Sequence, residues 1–306
     1  MFRADDLLSQ MSLDLGMLPA HLRSIIRTAP IRYKVFHIPK QGSRGGSREV
    51  AQPAREVKVI QRWLMAHFER FLPLHKAATA YHAGASIKNN ALRHVDSDYL
   101  LKMDFENFFP SILMADIIRH LEVHCAQNYD SSAIRLIAYV CTWAPKRQGP
   151  LRLCIGAPCS PLLSNSVMFD FDTQLALAAA ADGIRYTRYA DDLTLSARRS
   201  GVLANYPGFI SKIAEGLAYP KLKLNEKKTV FASRAGRRVI TGVTLTADHK
   251  LSIGRTRKRE IRAMYHRMTL ERLSPKEQEK LAGLIAFAND IEPGFDVWLS
   301  GSKTTL

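Results

Sequence analysis

The sequence is short of several things, and each shortage excludes something. Its 306 residues include four cysteines, Cys125, Cys141, Cys154 and Cys159, none of them in a CxxC pair. That spacing argues against a zinc knuckle and predicts buried thiols in a reducing cytoplasm. No run approaches 18 consecutive apolar residues, so no membrane span is expected. The opening decapeptide MFRADDLLSQ carries acids where a signal peptide needs an apolar stretch, so export is not expected. There is no tandem repeat and no strand–helix–strand rhythm. Acidic residues are also scarce, with 28 Asp and Glu against 44 Lys and Arg, a formal charge of +16.

What is present is a globular composition, 46% hydrophobic and 24% charged, which rules out wholesale disorder. The positive charge calls for a polyanionic partner, because neutralising phosphates releases counterions whatever the sequence bound. An anionic membrane surface competes on composition alone, but the basic segments lack a broad matching apolar face. The charge is unevenly placed. Residues 1–76 carry net +7, residues 77–220 are neutral, and residues 221–306 carry net +9.

Along the chain, Tyr33, Val35, Phe36 and Ile38 read as a strand ending at Pro39, followed by the basic glycine turn QGSRGGSR at 41–48. From Arg55 the period changes: Val57, Ile60, Leu64, Phe68 and Phe71 describe an amphipathic helix closed by Pro73. Leu100 to Phe105 alternates, with Leu101, Met103 and Phe105 on one face and Lys102 and Asp104 on the other. Asp170 to Ala181 predicts a helix stopped by Asp182-Gly183. Tyr186 to Ser196 predicts two short strands about a tight turn, Arg238 to Ile253 another hairpin, and Arg255 to Leu273 a basic helix. Helices mixed with mostly antiparallel strands make the expected class α+β.

The chemistry is concentrated in carboxylates. Asp191 and Asp192 stand side by side at a predicted hairpin tip, where like charges repel unless a cation sits there. Asp104 lies at the end of another predicted strand. Two strands each presenting an acid can hold hard divalent ions through oxygen ligands, Mg²⁺ above all, with Mn²⁺ the alternative. A pair of such ions about 3.5–4 Å apart activates a sugar hydroxyl and stabilises departing pyrophosphate. Basic flanks around an acidic centre therefore suggest a polymerase.

YADD at 189–192, beside LLKMDFENFFPSI at 100–112, resembles a reverse transcriptase. Further blocks agree in order: FHIPKQGSRGGSREVAQPAREVKVIQRWL at 36–64, IGAPCSPLLSN at 155–165 and LNEKKTVF at 224–231. NALRH at 90–94 and ITGVTLT at 240–246 are similar to elements of the bacterial retron subgroup. The likeness spans roughly residues 30–260. One departure is Cys154-Ile155, where family members often have Pro-Gln.

The resemblance implies a right-hand polymerase of fingers, palm (antiparallel sheet plus helices) and short helical thumb. Residues 1–76 would form N-terminal helices and fingers, 77–236 the palm with an interleaved fingers segment at about 113–150, and 237–306 a hairpin and thumb. It implies Asp104, Asp191 and Asp192 as metal ligands, joined by the Phe105 carbonyl, and Lys228 as general acid, with Lys227 its rival. Lys40 and Arg48 would grip a deoxynucleoside triphosphate, Gly156 and Ala157 would line its site, and Phe109 would exclude a 2′-hydroxyl. Asn90, His94, Asn165 and Tyr189, with Arg255, Lys258, Arg259 and Arg262 of the basic helix, would meet nucleic acid. Asn90 and His94 also have a plain structural reading, as polar groups satisfied within the core.

The activity so implied is RNA-directed DNA synthesis, primed from a 2′-hydroxyl of a cognate structured noncoding RNA and yielding a branched RNA–DNA product. A separate effector protein and a role in bacterial anti-phage defence are implied as well. Other readings stay open at this point. An intron-encoded or abortive-infection reverse transcriptase is one, and a polymerase-shaped scaffold that merely sequesters RNA is another.

Overall fold

In a computed structural model that describes residues 1–39, 46–146 and 149–301, the apolar spacing from Arg55 becomes a helix, Arg55–Phe68. Val57, Ile60, Leu64 and Phe68 are buried along it, and a 3₁₀ turn, Glu69–Phe71, completes the segment before Pro73. Two helices, Ala4–Leu15 and Pro19–Arg27, precede a hairpin of β1 (Tyr33–Pro39) and β2 (Ser47–Pro53). Its antiparallel register runs from Tyr33 opposite Pro53 to Pro39 opposite Ser47. Lys40 and most of the glycine turn lie outside the described residues.

The central sheet is assembled from β3 (Tyr99–Asp104), β4 (Arg185–Tyr189), β5 (Asp192–Ala197) and β6 (Val230–Ser233), in the order β4-β5-β3-β6 with every pairing antiparallel. Strand alternation decides which side of β3 meets which core. Leu101 and Met103, followed by Phe105, join a large cluster with Leu193, Leu195 and Phe171. Leu100, pointing the other way, joins a second cluster built mainly from residues 240–299. The Phe169–Ala181 helix packs against β4, ending where Gly183 adopts φ +69°.

The C-terminal region differs from expectation in its sheet and in where its basic helix ends. The predicted hairpin at 238–253 is a three-stranded sheet of β7 (Arg238–Ile240), β8 (Val243–Leu245) and β9 (Leu251–Ser252). The basic helix ends at Thr269, and two further helices, Pro275–Ile291 and Phe295–Gly301, fold back on it. Ser274 caps the first of these, accepting a hydrogen bond from Glu277 N. All four cysteines are buried free thiols, as their spacing predicted. Burial pushes Cys125 up to about 11 and Cys154 up to about 12. Among the described residues, no helix is long and apolar enough to cross a membrane.

Candidate active site

The register of β3 against β5 sets Asp104 directly opposite Asp192. Tyr189 pairs with Asp192 across β4 and β5, so the loop between them is only Ala190 and Asp191. Ala190 has φ +58°, a left-handed conformation that a two-residue hairpin demands and that a small side chain strains least. The Phe105 N–H donates to Asp191 O at 3.2 Å, and Asn225 N donates to Asp104 O at 2.7 Å. The backbone on both sides of Asp104 is therefore tied to the acidic turn and to the segment after residue 220. Phe105 is buried, its ring edge-on to Phe171 at 5.4 Å.

Three carboxylates thus gather at one end of the sheet. Burial, then the neighbouring Asp104 charge, raises the Asp191 pKa. Burial followed by repulsion from Asp191 pushes Asp192 up to about 6. Lys228 Nζ donates to Asp104 Oδ2 at 2.6 Å. Burial opposes the lysine's charge, but Asp104 outweighs it and its pKa rises. Of the two lysine candidates, Lys228 has this contact. Among the described residues, no three His, Cys, Asp or Glu side chains close to metal-coordinating range. The donor chemistry still suits a divalent cation, because three oxygen-bearing acids repel one another in a partly desolvated place and, among the described residues, Asp104 alone of the three has a cation within salt-bridge distance.

Beneath this turn lies a feature that the motifs did not reveal. Arg188 and Asp172 form an ion pair at 2.6 Å with both side chains fully buried. Arg188 also donates to Asn165 Oδ1 at 3.2 Å and to Ala190 O at 3.0 Å, within the acidic turn itself. Tyr186 OH donates to Asp172 Oδ1 at 2.7 Å. Burial works against the guanidinium charge, yet Asp172 reverses the balance and raises the Arg188 pKa. The sequence signal was the second of two acids, Asp170 and Asp172, opening the Ala/Leu-rich helix, and an arginine on the same strand face as Tyr186.

The remaining candidates separate into those near the acids and those elsewhere. Arg48 is exposed on β2, and its charge acts on Asp191. Phe109 sits half-buried on the short helix Phe108–Ser111, and Tyr189 half-buried at the end of β4. Gly156 adopts φ +113°, but a side chain there would meet Ala51 O at 2.9 Å. The close approach this glycine permits is therefore to the β2 backbone, where Ala51 N donates to Ile155 O at 2.9 Å. Ala157 is buried beside it.

Four residues expected to touch nucleic acid are engaged within the protein. Asn90 is 1% exposed, accepting from Thr79 Oγ1 at 3.0 Å and from Thr187 Oγ1 at 2.7 Å. His94 is fully buried, each ring nitrogen 2.7 Å from a hydroxyl, Ser196 Oγ or Thr187 Oγ1. Burial holds its pKa down at about 3, so it is neutral. Asn165 is buried too, donating to Ala80 O at 2.7 Å. In this structure these three side chains face inward and hold strands and helices together. Lys258 is half-buried in an ion pair with Glu292 and lies 5.6 Å from the Trp298 ring, so it packs inward. Arg262 stands 4.7 Å over the same ring but remains exposed, as are Arg255 and Arg259.

Residues 38–265 match the family model for reverse transcriptase (RNA-dependent DNA polymerase). The chain is similar to the Retron Ec83 reverse transcriptase of Escherichia coli, 38% identical over 277 residues that cover 86% of this chain and 84% of that one. It is 33% identical to the Retron Ec73 reverse transcriptase of Escherichia coli, covering 89% and 87%. With the Retron Mx65 reverse transcriptase of Myxococcus xanthus it shares 30% identity, over 94% and 68%. Among solved structures, telomerase from Candida Tropicalis in complex with a TWJ fragment of telomeric RNA aligns with a TM-score of 0.51 at 11% identity. That alignment covers 89% of this chain and 55% of the telomerase chain, and the likeness is one of fold, the right-hand polymerase.

Proposed function

This chain belongs to the reverse transcriptase family as an RNA-directed DNA polymerase of the retron type, and we propose that it primes from a 2′-hydroxyl of a guanosine in a cognate structured noncoding RNA. Copying part of that RNA would yield a branched, RNA-linked single-stranded DNA. The observation that carries the reading is the register of Asp104 against Asp192, with Asp191 in the adjoining turn. The division of labour follows the charge: fingers in 1–76, palm in 77–236 with an inserted fingers segment at about 113–150, and hairpin and thumb in 237–306.

In each addition a sugar hydroxyl attacks the α-phosphorus of a deoxynucleoside triphosphate. A new oxygen–phosphorus bond forms, and the bond to pyrophosphate breaks. Asp104, Asp191 and Asp192, with the Phe105 carbonyl, would hold Mg²⁺ or Mn²⁺. When bound, the ions supply activation of the hydroxyl and relief of the charge on the leaving group. Lys228, hydrogen-bonded to Asp104, would give its proton to pyrophosphate. Arg48 neutralises the triphosphate from the fingers side, together with Lys40, and Phe109 closes the space a ribose 2′-hydroxyl would need. Arg255, Arg259 and Arg262 present exposed charge to the RNA–DNA hybrid. The retron likeness further supports work in the bacterial cytoplasm, beside a separate effector protein in anti-phage defence.

The test is the double substitution Asp191→Ala, Asp192→Ala. Several kcal/mol of charge stabilisation would be lost, so primer extension on an RNA template should fall by at least ~10³-fold. In cells, nucleic acid co-purifying with the unaltered protein should be partly RNase- and partly DNase-sensitive and retain a nuclease-resistant branch. DNA synthesis that persists in the double variant would overturn the assignment.

A further inference from the structure

Tyr81 belongs to none of the motifs, yet its backbone has φ +64°. A bulky side chain in the left-handed region is an outlier, and such strain survives only where the surroundings dictate it. The surroundings here are explicit. Thr79 N donates to Arg188 O at 2.8 Å, and Arg188 N donates to Ala77 O at 2.7 Å, which stitches residues 77–79 alongside β4. Asn165 then holds Ala80 O at 2.7 Å. The chain turns immediately afterwards, at Tyr81.

The turn leaves the Tyr81 ring between two others. Its centroid is 6.4 Å from Phe109, at an interplanar angle of 53°, and 6.4 Å from Tyr189, at 42°. Both distances lie in the range where aromatic pairs attract. Phe109 and Tyr189 stand on separate elements, after β3 and at the end of β4, and Tyr81 touches both. The side chain is not core filler, since 44% of the residue is exposed. Burial and the Asp191 charge raise its pKa while Arg48 lowers it.

We propose that Tyr81 is a positioning residue for nucleotide selection: it braces the Phe109 ring from the Tyr189 side and so sets how firmly a ribose 2′-hydroxyl is excluded. The inference rests on the reading of Phe109 given above. A braced ring excludes an extra oxygen sharply, whereas an unbraced ring yields to it. Truncating Tyr81 should therefore act on the choice between sugars more than on the chemical step.

Glycine accepts the left-handed backbone without strain, so Tyr81→Gly removes the ring while sparing the fold. Tyr81→Phe keeps the ring and loses only the hydroxyl. Single-nucleotide incorporation of dTTP and UTP on a primed RNA template would be measured for both variants and for Phe109→Ala. Tyr81→Gly is expected to lower selectivity for dTTP by about tenfold, the scale of two lost aromatic contacts, mainly through KM and with kcat for dTTP within about threefold. Tyr81→Phe should match the unaltered enzyme. If Phe109→Ala relaxes selectivity while Tyr81→Gly does not, bracing by Tyr81 is refuted and the reading of Phe109 stands. If Phe109→Ala leaves selectivity unchanged, the reading of Phe109 falls and the bracing role with it.

Discussion

The two ends of the β3–β5–β4 sheet make an instructive contrast. At one end Asp104, Asp191 and Asp192 crowd like charges together, and burial with mutual repulsion raises the pKa of Asp191 and Asp192. Four residues further along β5, about 13 Å at strand rise, Ser196 meets His94, and the same histidine meets Thr187 of β4. The groups that meet there, His94, Ser196 and Thr187, are polar as well, but they are neutral, buried and hydrogen-bonded to one another. A closed network of this kind holds strands in register and leaves little for a ligand to bind. The acidic end is unfinished electrostatically, and a reaction that brings cations and phosphates can complete it. Polar residues in a row of motifs look alike, and burial is what sorts them.

The contrast can be pressed in order of expected effect. The Arg188–Asp172 pair gives the acidic end an enclosed anchor of its own. Removing one partner leaves a buried charge uncompensated, so Asp172→Ala should cost about 3–5 kcal/mol in urea unfolding. A loss below ~1 kcal/mol would show that the turn does not depend on the pair. Lys228 is the opposite case, an ammonium that is largely exposed above a buried carboxylate. Lys228→Ala should slow nucleotide addition by about 10²-fold yet change stability by under ~1 kcal/mol. Equal losses in rate and stability would make it a structural residue instead.

The smallest effect is a pH slope. His94 and His120 are both held at about 3 by burial, well below the ordinary 6.5. Each is neutral when folded, while the unfolded chain takes up protons below 6.5. Their contribution to stability is therefore complete above pH 6.5 and falls as the pH drops towards 3. Between pH 6 and 5, unfolding free energy should decline by up to about 1.4 kcal/mol per pH unit for each histidine. His94→Gln should remove its share of that slope. An unchanged slope would mean that His94 is not enclosed as described.

Much of the fold was legible because period and punctuation are local. The β1 strand ends at Pro39 as read, the Arg55 helix buries Val57, Ile60, Leu64 and Phe68, and the YADD segment is a hairpin. The site was legible as far as its acids, because adjacent aspartates at a strand turn make little sense without a counter-ion. Other parts were not. Asn90, His94 and Asn165 stand in motifs as prominent as YADD, but only their surroundings show that they face inward. Gly156 advertises a close backbone approach without saying to what, and its neighbour proves to be Ala51. Lys258 occupies a basic run, yet Glu292 and Trp298 come from well downstream to claim it.

By itself the sequence determined the chemistry: three acids at a strand end and a hairpin turn, cationic flanks around a neutral middle, and an order of blocks found in retron reverse transcriptases. Those properties belong to residue types and their spacing, which folding does not change. Tertiary structure alone decided which polar groups are open and which are closed. It set Arg188 under the acidic turn through Asp172, and it forced Tyr81 between Phe109 and Tyr189. Those partners are brought together by the sheet from distant parts of the chain, and no local pattern records a long-range contact.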